Sequence, residues 1–325
     1  MASVSSHPAD PTAHVPVLRR EVVEALQLQD GGIYVDGTYG AGGYSRAFLE
    51  AAECKVYGID RDPSAIAAGR EAEAASDRRL VLIEGRFGEM DELLSDRGVD
   101  QVDGVALDLG VSSMQLDRAE RGFSFRQDGP LDMRMAQSGA DAAELVNNAD
   151  ERELADIIFR YGEEKRSRRI ARAIVEARRQ KPIERSGELA TIVRRAVGGA
   201  RDGIDPATRT FQALRIHVND ELGELERGLV AAASMLRPGR RLAVVSFHSL
   251  EDRIVKNFIR AGSGAMPRAS RHAPSALGMD AKPGAPELRA VTRKPIEPDQ
   301  HEIEANPRAR SARLRVAEKL GAGAA

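Results

Sequence analysis

Several residue types and patterns are scarce in this 325-residue chain, and each scarcity excludes a class of protein. A single cysteine, Cys54, excludes an internal disulfide framework and a cysteine-rich metal site. The six histidines are scattered without the spacing of paired ligands, so the sequence predicts no protein-bound metal. No apolar run approaches the ~18 residues of a membrane span, so no membrane association is expected. The formal net charge of −2 means that any nucleic-acid site must be a local basic patch.

The length and the ends of the chain suggest its organisation. The chain is long enough for about two domains. Residues 1–12 are rich in Ser, Pro and Ala and lack the apolar centre of a secretion signal, so we expect a disordered leader on a cytoplasmic protein. Residues 261–286, rich in Gly, Pro, Ala and Ser, are expected to be mobile, and residues 321–325 to form a disordered tail.

The most informative stretch runs from Ile33 to Ser45. Its first three residues predict a short buried strand that Asp36 ends, four glycines follow within seven residues, and helical spacing resumes at Ser45. Strand, glycine loop and helix form the first βα turn of a nucleotide-binding sheet, where glycine lets the backbone approach a ligand. Glycine loops also occur as bare connectors, so the strands that follow must decide between these interpretations.

Three more strands are predicted before residue 113, and functional residue types stand where they end. Asp60 ends the second strand and follows Asp36 by 24 residues, close to the ~20-residue spacing of a ribose-binding carboxylate; a solvated acid at the strand end is the alternative. Phe87 follows the third strand, where it would give an adenine ring an apolar wall or else belong to the core. Asp108 ends the fourth strand. Ligands of open parallel sheets bind beyond these carboxyl ends, so the three residues predict one shared site.

The alternation of strands and helices stops after residue 113. Residues 114–216 carry helical patterns and predict an all-helical domain inserted into a sheet domain that comprises residues 13–113 and 217–320. Basic side chains crowd residues 160–181, which favours contact with nucleic-acid phosphates. A solvated helix face paired with neighbouring glutamates is the alternative.

The remainder of the chain returns to the sheet. Thr208–Leu236 predicts one long helix. Arg241–Phe247 predicts a fifth strand, whose carboxyl end lies at the same edge of the sheet as the ends of the first four. His248 follows that strand, and the stretches that begin at Leu288 and Ala312 predict two last strands. For Phe247 the alternative to a site role is core packing, and for His248 it is capping of the next helix.

The residue before the first glycine distinguishes two cofactors. A dinucleotide requires Gly-x-Gly-x-x-Gly leading into a helix whose N-terminus receives the pyrophosphate. Here Asp36 precedes the glycines, where it would repel a pyrophosphate but suits the ammonium and sulfonium groups of S-adenosylmethionine. A dehydrogenase is therefore disfavoured. A DNA amino methyltransferase and a cofactor-binding scaffold without catalysis stay open as alternatives.

A set of short motifs makes a family resemblance specific. They occur in order between His14 and Lys319 and include Asp36-Gly-Thr-Tyr-Gly-Ala-Gly-Gly, Gly58-Ile-Asp-Arg-Asp-Pro, Leu107-Asp-Leu-Gly-Val-Ser-Ser, Glu120-Arg-Gly-Phe-Ser-Phe, Ser246-Phe-His-Ser-Leu-Glu-Asp-Arg and Asn306-Pro-Arg-Ala-Arg-Ser. In these motifs the chain resembles the ribosomal RNA small subunit methyltransferase H family. The resemblance implies a class I methyltransferase, an α/β fold with a Rossmann-like, mostly parallel seven-stranded sheet and the helical insertion as the RNA-recognition domain.

The resemblance also implies a reaction and a set of residues. The reaction is methyl transfer from S-adenosylmethionine to the exocyclic N4 of one cytidine in the decoding region of 16S ribosomal RNA, with the assembled small subunit as the expected partner. The implied cofactor contacts are Gly42, Gly43, Tyr44, Asp60, Phe87, Asp108 and Gln115. We expect Asp108, or a backbone carbonyl near Leu109, to accept a hydrogen bond from N4, Phe247 to stack on the extruded base and His248 to shuttle the proton. The side chains expected to hold phosphates are Arg126, Arg134, Lys165, Arg166, Arg169, Arg308, Arg310 and Arg313.

Overall fold

The computed structural model describes residues 16–198, 205–264 and 287–321. The predicted leader (1–12), most of the segment 261–286 and the last four residues lie outside these ranges. Of the helices in the described ranges, none has both the length and the apolar character that crossing a bilayer requires.

Within the described residues, one seven-stranded sheet has the order β3-β2-β1-β4-β5-β7-β6. The strands are β1 (Ile33–Asp36), β2 (Lys55–Asp60), β3 (Leu80–Glu84), β4 (Val102–Asp108), β5 (Leu236–Ser246), β6 (Leu288–Ala290) and β7 (Arg313–Lys319). Strands β1 to β5 are parallel, whereas β7 lies antiparallel between β5 and β6. The chain moves outward on one side of β1 and then crosses to its other side, so β1 and β4 form the topological switch point. The predicted fold class is confirmed.

Helices connect and flank these strands. They are α1 (Arg19–Leu26), α2 (Gly43–Ala51), α3 (Pro63–Ala74), α4 (Met90–Ser95), α5 (Ser113–Asp117), α6 (Ala142–Asn148), α7 (Glu151–Gly162), α8 (Ser167–Arg178), α9 (Ser186–Val197), α10 (Ala207–Asn219), α11 (Glu221–Met235), α12 (Ser249–Gly262) and α13 (Gln300–Ala305). Local sequence signals explain where several of these helices begin. For example, Asp62 accepts a hydrogen bond from Ser64 N at 3.0 Å, and Pro63 occupies the first position of α3.

Apolar residues cover both faces of the sheet. Because successive side chains of a strand point to opposite faces, Tyr34 and Val35 of β1 belong to different apolar clusters. A third cluster consists only of residues between Phe123 and Leu214, which α6 to α10 and the preceding loop contribute. The chain between β4 and α11 therefore has an apolar cluster of its own.

Two boundaries differ from the sequence prediction. The single helix expected from Thr208 to Leu236 is two helices, because Asp220 adopts a left-handed conformation (φ 49°) that ends α10 and precedes α11. Next to this break, Asn219 donates to Met133 O at 2.7 Å and accepts from Met135 N at 2.8 Å, so tertiary contacts stabilise it. Strand β5 begins at Leu236 rather than Arg241, because residues 237–240 form an irregularity within the strand and Leu236 pairs with Val102.

Candidate active site

A cavity opens along the carboxyl edge of the sheet, from the end of β3 to the end of β5. Predicted site residues that line it are Gly43, Tyr44, Asp60, Phe87, Asp108, Gln115 and Phe247. Gly42 lies directly beside this wall as the residue before α2. His248 follows Phe247 and is largely buried behind it, with 11% of its side chain exposed. The structure thus brings the strand-end residues together at one site.

Two glycines of the loop after β1, Gly42 and Gly43, have no room for a side chain. Gly42 has φ 72°, and a Cβ atom there would lie 2.6 Å from the Tyr39 hydroxyl oxygen. A Cβ atom at Gly43 would lie 2.8 Å from the Pro16 ring. The loop backbone consequently forms the cavity wall itself, which suits a ligand that approaches main-chain atoms.

Asp60 is held in place by the backbone at the end of β2. Its Oδ2 accepts from Gly40 N at 2.7 Å and its Oδ1 accepts from Asp62 N at 2.8 Å. Burial raises the pKa of Asp60 to about 6. Each carboxylate oxygen has a second lone pair, so this group can also accept hydrogen bonds from ribose hydroxyls in the cavity.

Asp36 is fully buried beneath the glycine loop rather than in the cavity wall. Its Oδ2 accepts from Ser45 N at 3.0 Å and from Ser45 Oγ at 2.7 Å, so it fixes the first turn of α2. Among the described residues, its Oδ1 has no hydrogen-bond partner. Burial raises the pKa of Asp36 to about 6.

This buried carboxyl group should make the stability of the ligand-free protein depend on pH. With a folded pKa of about 6 against an ordinary value of 3.8, the native state keeps a proton that the unfolded state loses. Stability should therefore fall as pH rises from about 4 to about 6, and Asp36→Asn should be more stable than wild type at pH 7.5 by up to ~3 kcal/mol. Denaturant unfolding of both proteins at pH 4 and pH 7.5 measures this difference. Equal pH dependence of the two would contradict the role assigned to Asp36.

Asp108 lies at the end of β4, in the middle of the carboxyl edge of the sheet. Its backbone N donates to Thr38 Oγ1 at 2.6 Å, whereas its buried Oδ1 has no hydrogen-bond partner among the described residues. Burial, with the charges of Asp36 and Glu251 adding to it, raises the pKa of Asp108 well above its usual value. A hydrogen-bond donor or a positive charge next to this oxygen would stabilise the buried carboxyl group. A ligand bound in the cavity can supply either one.

The turn between β5 and α12 is held by one carboxylate. Glu251 Oε2 accepts from Phe247 N at 2.8 Å and from His248 N at 3.2 Å, while His248 Nδ1 accepts from Glu251 N at 3.4 Å. His248 is therefore the N-cap of α12, the alternative role that its position also suggested. The other imidazole nitrogen, Nε2, lies 3.0 Å from Glu251 Oε1.

A cluster of ionisable groups behind this turn was not predicted. Potential ligand atoms of Glu221, His248 and Glu251 lie within 4.8 Å of one another. Arg215 already donates to both oxygens of Glu221, at 2.8 and 2.9 Å. Burial alone would raise the pKa of Glu251, but its hydrogen bond and attraction to His248, the Phe247 N–H and the Arg215 charge together lower it. Arg215 thus already pairs with Glu221, and the cluster links α10 to the β5–α12 turn.

Two predicted cofactor residues already have protein partners for their side chains. The Tyr44 hydroxyl donates to the Val17 carbonyl, and its ring stacks on Phe48 with centroids 6.2 Å apart. Gln115 donates from Nε2 to Asp62 at 3.0 Å and accepts at Oε1 from Ser112 N at 3.0 Å. Any cofactor contact of Tyr44 is accordingly expected through its ring or backbone, and contact of Gln115 through the remaining lone pair of Oε1.

The fold and the cavity define the class of protein. A parallel sheet with the switch point between β1 and β4, a glycine loop after β1 and an acid at the end of β2 are typical of class I methyltransferases that use S-adenosylmethionine. The residues fit this cofactor, because a bare backbone wall lines the cavity together with Asp108, whose buried Oδ1 has no hydrogen-bond partner among the described residues.

The chain belongs to the MraW methylase family, whose model matches residues 11–320. A protein of Paramagnetospirillum magneticum named ribosomal RNA small subunit methyltransferase H is 60% identical over 97% of this chain and 98% of its own length. A protein of the same name from Rhodospirillum rubrum is 56% identical over 95% of this chain and 94% of its own length.

Proposed function

We propose that this protein transfers a methyl group from S-adenosylmethionine to the exocyclic N4 of a cytidine in small-subunit 16S ribosomal RNA. The names of the relatives support the substrate. The observation that carries the chemistry is the cavity at the carboxyl edge of the sheet, which extends from Phe87 to Phe247; between them lies Asp108, whose Oδ1 has no hydrogen-bond partner among the described residues.

The cavity is long enough for a cofactor and a nucleobase side by side. From β3 through β2, β1 and β4 to β5 there are four strand spacings of ~4.8 Å, so the two outer strand ends lie ~19 Å apart. We assign the β3 side, with Phe87 and Asp60, to the adenosine, and the β5 side, with Phe247, to the cytosine. A Cβ atom built at Gly110 would lie 3.7 Å from the Phe247 ring, which places that ring against the loop after β4.

When bound, S-adenosylmethionine supplies a methyl group already activated on a sulfonium. The protein must hold the N4 amine out of conjugation and in line with that methyl group. Asp108 accepts a hydrogen bond from N4 and thereby fixes its orientation, while Phe247 stacks on the extruded base. His248, which follows Phe247, is the proposed carrier of the proton that N4 loses, and Glu251 Oε1, 3.0 Å from its Nε2, is the group to which that proton can pass.

The helical insertion is the proposed RNA-binding domain. Arg166 donates to the Val197 carbonyl and Arg178 donates to Val146 O and Ala149 O at 2.7 Å, so these two side chains support the domain's own fold. Lys165, Arg168 and Arg169 are exposed and form no ion pair within the described ranges. These three are the best candidates for phosphate contacts.

Neutralising these three side chains should reduce the salt dependence of RNA binding. For single-stranded contacts, the triple variant Lys165→Gln, Arg168→Gln, Arg169→Gln should lower the slope of log K against log salt by about 2. Filter binding of a 16S RNA fragment between 50 and 250 mM salt measures the slope. A control triple variant neutralises exposed arginines of the sheet domain, namely Arg20, Arg70 and Arg78. Equal slopes for the two variants would contradict the assignment of the insertion.

Methyl transfer from labelled S-adenosylmethionine tests the function itself. The substrates to compare are assembled small subunits, naked 16S RNA and duplex DNA, followed by nucleoside mass spectrometry. We expect N4-methylcytidine in RNA, with assembled subunits as the better substrate in a cytoplasmic reaction. Label only in DNA would favour the DNA methyltransferase alternative, and the absence of transfer would favour a cofactor-binding scaffold.

A further inference from the structure

Glu224 is a buried acid in the cavity wall that the proposed mechanism does not use. It lies on α11, is 1% exposed and lines the cavity. A Cβ atom built at Gly88, next to Phe87, would lie 3.3 Å from Glu224 Cγ. One turn later on α11, a Cβ atom at Gly228 would lie 2.4 Å from the Phe87 ring. Glu224 and Phe87 are consequently neighbours at the β3 side of the cavity.

The two oxygens of Glu224 have different environments. Oε2 accepts from Arg61 at 2.6 Å and from Arg86 at 3.0 Å. Oε1 is buried and has no hydrogen-bond partner among the described residues. Burial raises the pKa of Glu224, whereas the two guanidinium groups oppose that shift and fix the orientation of the carboxylate. A buried acceptor held in one orientation lacks a donor, and leaving it so is costly.

We propose that Glu224 Oε1 accepts a hydrogen bond from the 6-amino group of the cofactor's adenine and so determines the base specificity of the cofactor site. This inference rests on the proposed function, in which Phe87 forms the wall for the adenine. The Phe87 ring can contact the face of any purine and cannot distinguish an amine from an oxo group. A 6-oxo purine would place an acceptor against the carboxylate, so hypoxanthine should be rejected.

Binding of two product analogues tests the assignment without requiring turnover. Isothermal calorimetry with S-adenosylhomocysteine and S-inosylhomocysteine gives a ratio of dissociation constants, which should favour the adenosyl compound by at least ~30-fold in wild type. In Glu224→Gln, Arg61 and Arg86 require the amide oxygen, so the amide NH₂ should face the purine. The ratio should then fall to within ~3-fold or reverse, because the NH₂ group donates to a 6-oxo group.

The outcomes separate this inference from the proposed function. If wild type binds neither analogue, the proposed cofactor site is wrong. If wild type prefers the adenosyl compound and Glu224→Gln keeps the full preference, the site stands and the role of Glu224 is overturned. Glu226→Gln, on the exposed face of the same helix, should keep the wild-type ratio. If Glu224→Gln fails to fold, Glu224→Asp decides, since its retracted carboxylate should lower the ratio by at least ~5-fold.

Discussion

Replacing Asp108 by asparagine is expected to lower the rate constant of methyl transfer by ~10²- to 10³-fold, the effect of losing a pre-organised hydrogen-bonding group. The carboxyl group lies at the end of β4 with its Oδ1 buried and unpaired among the described residues. An amide at this position presents either a weaker acceptor or a donor to the N4 amine. The amine would then lose the orientation that in-line attack requires. Single-turnover methyl transfer at saturating RNA and cofactor measures the effect.

Asp103 provides a matched control on the same strand. It is also a buried aspartate of β4, but it lies near the opposite end and pairs with Arg237 and Arg240. Asp103→Asn should destabilise the fold and leave the single-turnover rate of the folded enzyme near wild type. If both variants retained wild-type rates, Asp108 would have no catalytic role, and the backbone near Leu109 would become the candidate acceptor for N4.

The raised pKa of Asp108 should also make the affinity for the cofactor depend on pH. In the empty site the neutral acid is favoured, because burial penalises the charge. A cationic ligand favours the ionised form, so binding releases a proton at pH values below that pKa, and affinity should rise with pH. The rise should be larger for S-adenosylmethionine than for S-adenosylhomocysteine, which lacks the sulfonium charge. Asp108→Asn should abolish the difference between the two ligands.

The residues at the carboxyl edge of the sheet were predictable because each strand end is encoded locally. Strand ends at Asp36, Asp60 and Asp108 follow directly from short apolar runs that stop at an acid, and parallel pairing brings those ends together. What the sequence could not reveal is which distant residues complete the walls. Glu224 reaches Arg61, which follows β2, because α11 packs against the segment after β3, and 163 residues separate the two in the chain.

The break at Asp220 shows the same limit for secondary structure. Helical spacing continues through residues 207–235, and no proline or glycine marks the end of α10. The break depends on Asn219, whose side chain bonds the backbone of Met133 and Met135 in the preceding loop. Tertiary hydrogen bonds thus override local propensity here, and the break directs both Glu221 and Glu224 at the start of α11 toward the cavity.

Replacing Gly228 by alanine is expected to weaken cofactor binding by ~10- to 100-fold, because a methyl group added to a tightly packed contact costs ~1–3 kcal/mol. The new Cβ atom would lie 2.4 and 2.5 Å from the Phe87 ring, so that ring must move toward the cavity. Stability should change little, since alanine in a helix interior is favoured over glycine by about 1 kcal/mol. Calorimetric titration with S-adenosylhomocysteine measures the affinity, and thermal unfolding measures the stability.

A second glycine of the same helix supplies the control for this prediction. A Cβ atom at Gly223 would meet the Asp220 carboxylate, whose side chain is 60% exposed and can move away. Gly223→Ala should therefore gain the same helix propensity and bind the cofactor like wild type. Adding Phe87→Leu to Gly228→Ala removes the bulk that clashes. The double variant should therefore lose less binding free energy than the losses of the two single variants added together. Additive losses would mean that Phe87 does not transmit the effect, and the adenine wall would have to be assigned to another residue at the carboxyl edge of the sheet.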